Sequence, residues 1–393
     1  MGHFVCKNNR MYSRLIRSEI ERSKKSVLLL GPRQVGKSTL IESLKPDLSI
    51  NLANEAEYFA FQAHPAELER RIAAATPKTV FIDEIQRIPR LTNTIQDLVD
   101  HNKKLKFYLT GSSARKLRAG RANLLPGRLF SYHLAPMSLL ELGSDFDMEK
   151  GLRFGFLPEV QTLSTEKDIK NLLRSYTSQY LKEEILAESL VRGVDGFVRF
   201  LGAAAISSGQ FLDYSKLART SGVPRQTAIR HFEILVDTMI AHRLENDPEH
   251  LGQDIDLVKH PKYFFFDLGV LNALMGSFDL GLDRAGRLFE HLVFNQIYNT
   301  CSGLNLDFRL NNFRTRGGLE VDFLLKIESK RFALEVKAGN SVASSELKSL
   351  RALDDYKIKC QKIVIYRGTR ELKEDDIWIV PLKKAFDIMG LRV

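Results

Sequence analysis

Two stretches of the chain carry side chains suited to phosphate chemistry. The first is Gly31-Pro32-Arg33-Gln34-Val35-Gly36-Lys37-Ser38-Thr39. Gly31 and Gly36 permit backbone conformations that aim N–H groups at phosphate oxygens. Lys37 offers an ammonium to the β- and γ-phosphates of ATP, and the hydroxyl of Ser38, with Thr39 beside it, suits Mg²⁺. Downstream, Asp83-Glu84 ends the apolar run Thr79–Ile82, a place for one carboxylate that orients Mg²⁺ and a second that activates water. Thr110, Ser112 and Ser113 close another apolar run and are candidates for sensing the γ-phosphate, although a plain turn accounts for Gly111-Ser112-Ser113 nearly as well. The second stretch, Arg314 to Gly339, contains Glu320, Asp322, Glu335 and Lys337. On neighbouring strands an Asp and a Glu face each other across the ladder, an unfavourable pairing unless a cation lies between them.

The elements that must position these groups are written in the apolar spacing. Ser26–Gly31 reads as a β-strand and Leu40, Ile41 and Leu44 as one face of a helix. Strand, Gly-rich turn and helix are the context in which Gly-x-x-x-x-Gly-Lys-Ser becomes a phosphate-binding loop. Val321-Phe323-Leu324-Leu325 and Phe332-Ala333-Leu334-Val336, parted by Glu328-Ser329-Lys330, predict a β-hairpin. Between the two stretches, Ile169, Leu172, Leu173, Tyr176, Tyr180, Ile185 and Leu186 recur at helical spacing and predict an amphipathic helix in a bundle. From Asp213 the pattern predicts a helix around Tyr214–Thr220, a turn at Gly222 and a second helix opened by Pro224, with Met239–Leu244 beginning a wing. Arg225, Gln226 and Arg230 fall on the exposed, N-terminal side of that second helix, where such motifs meet DNA, mainly its phosphates. Winged-helix folds also serve as ATPase lids and protein contacts.

In order along the chain, Gly-Pro-Arg-Gln-Val-Gly-Lys-Ser, Phe-Ile-Asp-Glu, Leu-Thr-Gly-Ser-Ser, Leu-Leu-Pro-Gly-Arg-Leu and His-Leu-Ala-Pro-Met-Ser-Leu-Leu-Glu-Leu resemble the AAA+-type ATP-binding family of bacteria and archaea. The C-terminal half of that family was long called a domain of unknown function, and the resemblance runs from about residue 11 to the end. It implies an additional-strand P-loop fold with Glu84 as the water-activating base. It also implies an arginine finger or sensor arginine at Arg128, in the family's Gly-Arg element, with Arg118 and Arg121 as alternatives.

The last third is similar to the restriction-endonuclease-like PD-(D/E)XK superfamily, in which a helical Glu precedes a hairpin bearing Asp and Glu-x-Lys. The matching residues are Glu290, inside the apolar-periodic segment Gly286–Ile297, then Asp322, Glu335 and Lys337. In that reading Glu290, Asp322 and Glu335 bind Mg²⁺ or Mn²⁺, because hard oxygen ligands select such ions. Lys337, on the strand face of Glu335, stabilises charge on the scissile phosphate or orients water. Glu320 is a further ligand or a solvated neighbour. Val321 stands before Asp322 where the superfamily's name has Pro.

A length of 393 residues predicts two or three domains, and 44% hydrophobic residues suffice for each to bury its own core. The expectation is an α/β chain: an AAA+-like ATPase domain over 1–150, a helical lid with a winged helix over 151–258, and a nuclease-like α/β domain over 259–393. No apolar run is long enough to span a bilayer and no signal peptide opens the chain, which points to the cytoplasm. Cys6, Cys301 and Cys360 are too far apart for a zinc site. A formal net charge of +10 suits an acidic partner, DNA first, and Arg115, Lys116, Arg118, Arg121 and Arg128 form a basic run between Ser112 and Phe130. The function expected is a DNA-associated, Mg²⁺-dependent ATPase with a nuclease domain, a homo-oligomer if the finger acts across subunits. Two alternatives stand: an ATP-driven DNA-remodelling protein whose nuclease-like domain only binds, and an ATP-dependent signalling switch.

Overall fold

The computed structural model describes residues 12–112, 127–180, 194–247, 257 and 260–392. Five parallel strands open the fold: β1 (Ser26–Leu30), β2 (Leu48–Asn51), β3 (Thr79–Asp83), β4 (Lys106–Gly111) and β5 (Leu129–His133), in the order β2-β3-β4-β1-β5. The inner strands β1, β3 and β4 are nearly continuous apolar runs because both faces are covered. In β1, Val27 and Leu29 enter one core while Leu28 and Leu30 enter another. Strand β4 separates β1 from β3, so Asp83 belongs to a strand that is not the neighbour of the one entering the Gly-rich loop.

Short helices follow: Met148–Phe154, Pro158–Thr162 and Glu166–Ser175, the last continuing as a π-turn over Tyr176–Tyr180. Ile185 and Leu186, expected on the same helix, lie outside the described residues. After the helix Val194–Ile206, the side chain of Asp213 caps Tyr214–Ser221 by accepting from the amides of Ser215 and Lys216. Gly222 ends it at φ +65°, a left-handed conformation that glycine adopts without penalty. Pro224 opens Arg225–Asp237, and an antiparallel ribbon follows, β6 (Ala241–Leu244) with β7 (Lys262–Phe265).

A six-stranded mixed sheet makes up the last part, in the order β12-β13-β11-β10-β9-β8. Its strands are β8 (Phe308–Arg314), β9 (Glu320–Ile327), β10 (Lys330–Lys337), β11 (Gln361–Tyr366), β12 (Leu372–Glu374) and β13 (Ile377–Pro381). The expected hairpin is β9–β10, turned at Glu328-Ser329, with Glu328 at φ +52°. The helix Leu282–Gly303 packs on one face of this sheet and Lys348–Ala352 on the other.

The expected division at 258/259 falls before β7, which pairs with β6 rather than with the last sheet. Residues beyond β7 stay with the preceding unit too: Asp267 caps Leu268–Leu274 and also accepts from the amide of Phe156 at 2.6 Å. Gly269 lies so close to the Phe154 carbonyl that a Cβ there would sit 2.0 Å from its oxygen. Nor are the cores separate, because one apolar cluster runs from Ile16 through Phe200, Phe232 and Phe294 to Leu391. Gln296, fully buried on Leu282–Gly303, crosses to the first unit: its Oε1 accepts from the Leu139 amide at 2.6 Å and its Nε2 donates to the Met137 carbonyl at 3.4 Å.

Candidate nucleotide site and acidic cluster

The Gly-rich loop leaves the C-terminal end of β1. Gly31 passes so near strand β5's exit that a Cβ would meet the Leu134 carbonyl oxygen at 2.2 Å, and Gly36 turns at φ +90°; both positions demand glycine. Lys37 is buried and its ammonium donates to the carbonyls of Gly31 and Pro32, both at 2.8 Å. Ser38 Oγ donates to the Asp83 carboxylate at 2.8 to 2.9 Å, and Thr110 Oγ1 donates to the same group from β4. Thr39 is exposed on the first turn of the helix Lys37–Glu42.

Glu84 leaves β3 at φ +58°, turning its carboxylate back across the strand ends. There it meets Gln86 Nε2, which also donates to Ser112 Oγ at 3.0 Å; Ser112 Oγ stands 3.5 Å from Glu84 Oε2. The structure therefore brings Gly31, Gly36, Lys37, Ser38, Asp83, Glu84 and Ser112 together at the carboxyl ends of β1, β3 and β4. A hydroxyl and a carboxylate in contact at Ser38 and Asp83 are hard oxygen donors that fit Mg²⁺. Sequence reasoning missed Arg14, whose buried guanidinium donates to the Val35 and Ala135 carbonyls at 2.6 Å each and to Glu141 at 2.9 Å, fixing the loop from behind.

Arg128 is elsewhere. Ser26 pairs with Leu129, so Arg128 lies at the N-terminal ends of β1 and β5, opposite the loop, in a two-pronged pair with Asp100 at 2.9 to 3.0 Å. A finger acting on the chain's own nucleotide is excluded by that strand direction. Arg115, Lys116, Arg118, Arg121 and Ser113 lie outside the described residues.

The second constellation forms where β7, β9, β10 and Leu282–Gly303 converge. The register Leu334↔Phe323 makes Asp322 and Glu335 the next pair, and Asp322 Oδ2 accepts from the Val336 amide at 2.8 Å. Lys337 Nζ contacts Glu335 Oε1 at 2.8 Å, while Glu335 Oε2 is buried with no hydrogen-bond partner among the described residues. Lys262 was not anticipated: from β7 its ammonium, 3% exposed, sits 3.1 Å from both Glu290 Oε1 and Glu320 Oε1. Arg314 approaches the other oxygen of Glu320 at 3.5 Å.

Burial, and then the charge of Asp322, pushes Glu290 up to about 8 and Glu335 up to about 7; burial likewise raises Asp322. Burial alone would lower Lys262, but Glu290, Asp322 and Glu320 outweigh it and keep the ammonium charged. Glu290 is thus engaged by Lys262 instead of closing a trio with Asp322 and Glu335, and among the described residues no three acidic, His or Cys side chains form a ready metal cage. The orphaned oxygen of Glu335 beside Asp322 still fits a cation.

On the helix Arg225–Asp237, the residues Arg225, Gln226 and Arg230 are all exposed, with the Arg225 guanidinium 5.9 Å over the Tyr214 ring. Among the described residues no helix is long and apolar enough to cross a membrane.

A parallel sheet in which an inner strand enters a Gly-rich loop, with an acid pair on a non-adjacent strand, defines an AAA-type P-loop ATPase domain. Residues 23–143 match the family model described as AAA domain. Residues 145–283 and 285–385 match two domains of unknown function, DUF8612 and DUF4143, whose boundary coincides with the start of Leu282–Gly303 rather than with 258/259. No curated protein matches the chain. Among solved structures, the replication initiator DnaA bound to AMPPCP and single-stranded DNA is similar at TM-score 0.27 and 9% identity, over 56% of this chain and 86% of that one. A protein from Vibrio cholerae follows at 0.22 and 10%, over 93% and 96%. A DNA polymerase III gamma subunit-related protein from Thermotoga maritima has 0.19 and 10%, over 88% and 93%. Likenesses at such TM-scores decide neither fold nor function.

Proposed function

We propose that the chain is a Mg²⁺-dependent ATPase that acts on DNA in the cytoplasm, where both are met. The observation that carries the reading is the meeting of the loop Gly31–Ser38 with Asp83, Glu84 and Ser112 at the ends of three strands. Gly31 and Gly36 let the loop wrap the phosphates, with Thr39 flanking it, and Lys37 exchanges two backbone carbonyls for phosphate oxygens. Ser38 and Asp83 would hold Mg²⁺, which supplies charge neutralisation at the transferred phosphate. Glu84 takes the proton of a water whose oxygen bonds to the γ-phosphorus as the bond to ADP breaks, and Ser112 donates to the γ-phosphate. Arg128, remote from its own loop, serves as a finger only in a homo-oligomer. Glu84→Gln should keep ATP binding and lower turnover by about 10² to 10⁴-fold; unchanged turnover would remove Glu84 from the role.

The three helices with their antiparallel ribbon support a winged helix, and the exposed Arg225, Gln226 and Arg230 suit DNA phosphates. A second reading, a restriction-endonuclease-like nuclease, is favoured by the orphaned Glu335 Oε2 next to Asp322 and Lys337. Asp322 and Glu335, with Glu290 once Lys262 releases it, would hold Mg²⁺ or Mn²⁺, and Lys337 would oppose charge on the scissile phosphate. Incubation with Mn²⁺ on linear, single-stranded and branched DNA tests it. Cleavage that disappears in Glu335→Ala supports the nuclease; no cleavage and no Mn²⁺ binding leaves the last domain as a DNA clamp.

A further inference from the structure

Gln86 has no role in the site as assigned so far, yet its side chain is the hub of the Glu84–Ser112 contact. It sits on the single 3-10 turn Ile85–Arg87, which the left-handed Glu84 throws back toward the strand ends, and it is 6% exposed. Its Nε2 donates to both Glu84 Oε2 and Ser112 Oγ. The orientation of the amide is fixed chemically: a carboxylate only accepts, so the nitrogen must face it. The opposite atom, Oε1, has no partner among the described residues and lies where a Cβ at Gly111 would come within 2.8 Å of it. The bare Cα of Gly111 lets the tip of this side chain lie against the Thr110-Gly111-Ser112 segment.

We infer that Gln86 is a positioning residue that holds the Glu84 carboxylate and ties its direction to Ser112. The inference rests on the reading of Glu84 as base and Ser112 as γ-phosphate contact. A carboxylate that must take a proton needs one oxygen anchored and the other turned to water, and an amide N–H₂ provides that anchor without taking the proton itself. The second N–H, on Ser112 Oγ, leaves that hydroxyl's own proton to donate either to Glu84, as here, or to a phosphate oxygen. When Ser112 turns to phosphate, Gln86 keeps its own bond to Oε2, so the carboxylate stays held while the γ-phosphate position fills.

Steady-state hydrolysis by Gln86→Leu and Gln86→Glu, with ATPγS binding and thermal unfolding measured alongside, tests the assignment. Both variants should lose about 10- to 100-fold in kcat with ATPγS affinity within about 2-fold of the wild type. Gln86→Asn, which keeps an amide one methylene short, should recover part of the rate that Gln86→Leu loses. A purely packing role would lower the unfolding temperature, leave kcat of the folded enzyme unchanged and give Gln86→Asn no advantage over Gln86→Leu, and that result overturns the inference. Glu84→Gln separates the failures: an active Glu84→Gln removes the underlying reading, whereas an inactive Glu84→Gln beside a fully active Gln86→Leu removes Gln86 alone.

Discussion

The nucleotide site and the acidic cluster both gather carboxylates with a lysine nearby, and they neutralise those carboxylates differently. Asp83 is met by neutral hydroxyls, from Ser38 and Thr110, while Lys37 is turned onto backbone carbonyls. In the other cluster the acids are met by ammonium groups, Lys262 on Glu290 and Glu320 and Lys337 on Glu335. Hydroxyl donors leave the negative charge of Asp83 in place for an incoming cation. Ammonium groups cancel the charge in advance, so a divalent ion at Asp322 and Glu335 must compete with cations that belong to the chain.

The largest effect expected is Lys37→Ala, which removes the only ammonium of the loop and should lower ATP hydrolysis at least about 10³-fold. Retained hydrolysis in a malachite-green assay would break the comparison on the nucleotide side. Next, Asp322→Ala and Glu335→Ala should abolish Mn²⁺ binding at the cluster, read by calorimetric titration, with ATP turnover largely intact and Lys337→Ala binding the ion almost normally. Equal Mn²⁺ heats in all four proteins would show that the cluster is not where the ion goes.

Lys262→Met is the direct probe of charge cancelled in advance. Removing one partner of a buried ion pair should cost about 3 to 5 kcal/mol in denaturant unfolding without divalent ions. Mn²⁺ should return part of that stability and bind more tightly than to the wild type, since binding to the native state alone stabilises it. A variant as stable as the wild type, with unaltered Mn²⁺ affinity, would mean that Lys262 does not occupy the site. Smaller again, Arg225→Ala with Arg230→Ala should weaken DNA binding about equally across sequences. The slope of log affinity against log salt should shrink by about 2 in fluorescence anisotropy, one unit per lost phosphate contact.

The smallest effect concerns neither site but the ribbon that delivers Lys262. The His242 ring of β6 lies 3.9 Å from the Tyr298 ring, and burial, aided by the charges of His133 and His291, pushes its pKa down to about 3. The unfolded chain takes up a proton below about 6.5 and the folded one does not, so stability is lost as pH falls from about 6.5 toward 3, by about 1 kcal/mol at pH 5.5. His242→Phe should flatten that window in urea titrations; an identical pH dependence would assign it to other groups.

How much of the molecule is legible in its sequence follows from the range of the interactions. The Gly31–Ser38 loop, Asp83-Glu84 and the β9–β10 hairpin are each specified by neighbours within about ten residues, through glycine dihedrals, apolar alternation and a two-residue turn. Lys262, Arg14 and Gln296 act across 28, 127 and 157 residues respectively, and nothing local distinguishes a lysine bound for a buried acid from one in water. Arg128 illustrates the converse. Its Gly-Arg context suggests a finger, and only the strand register reveals that it sits at the end of the sheet opposite its own loop, where any such role is to another copy of the chain. The division at 258/259 has a related limit: nothing local in Tyr263–Phe266 shows that its strand pairs back onto β6.

Gln296 and Glu290 share one helix, six residues or about 9 Å apart along its axis. One of them is clamped to the backbone of the nucleotide unit at Met137 and Leu139, the other to a lysine delivered by the ribbon. Mechanically that helix is a stiff rod loaded at two points. The backbone at Met137 and Leu139 and the Lys262 contact are thereby joined through less than two turns of one continuous helix.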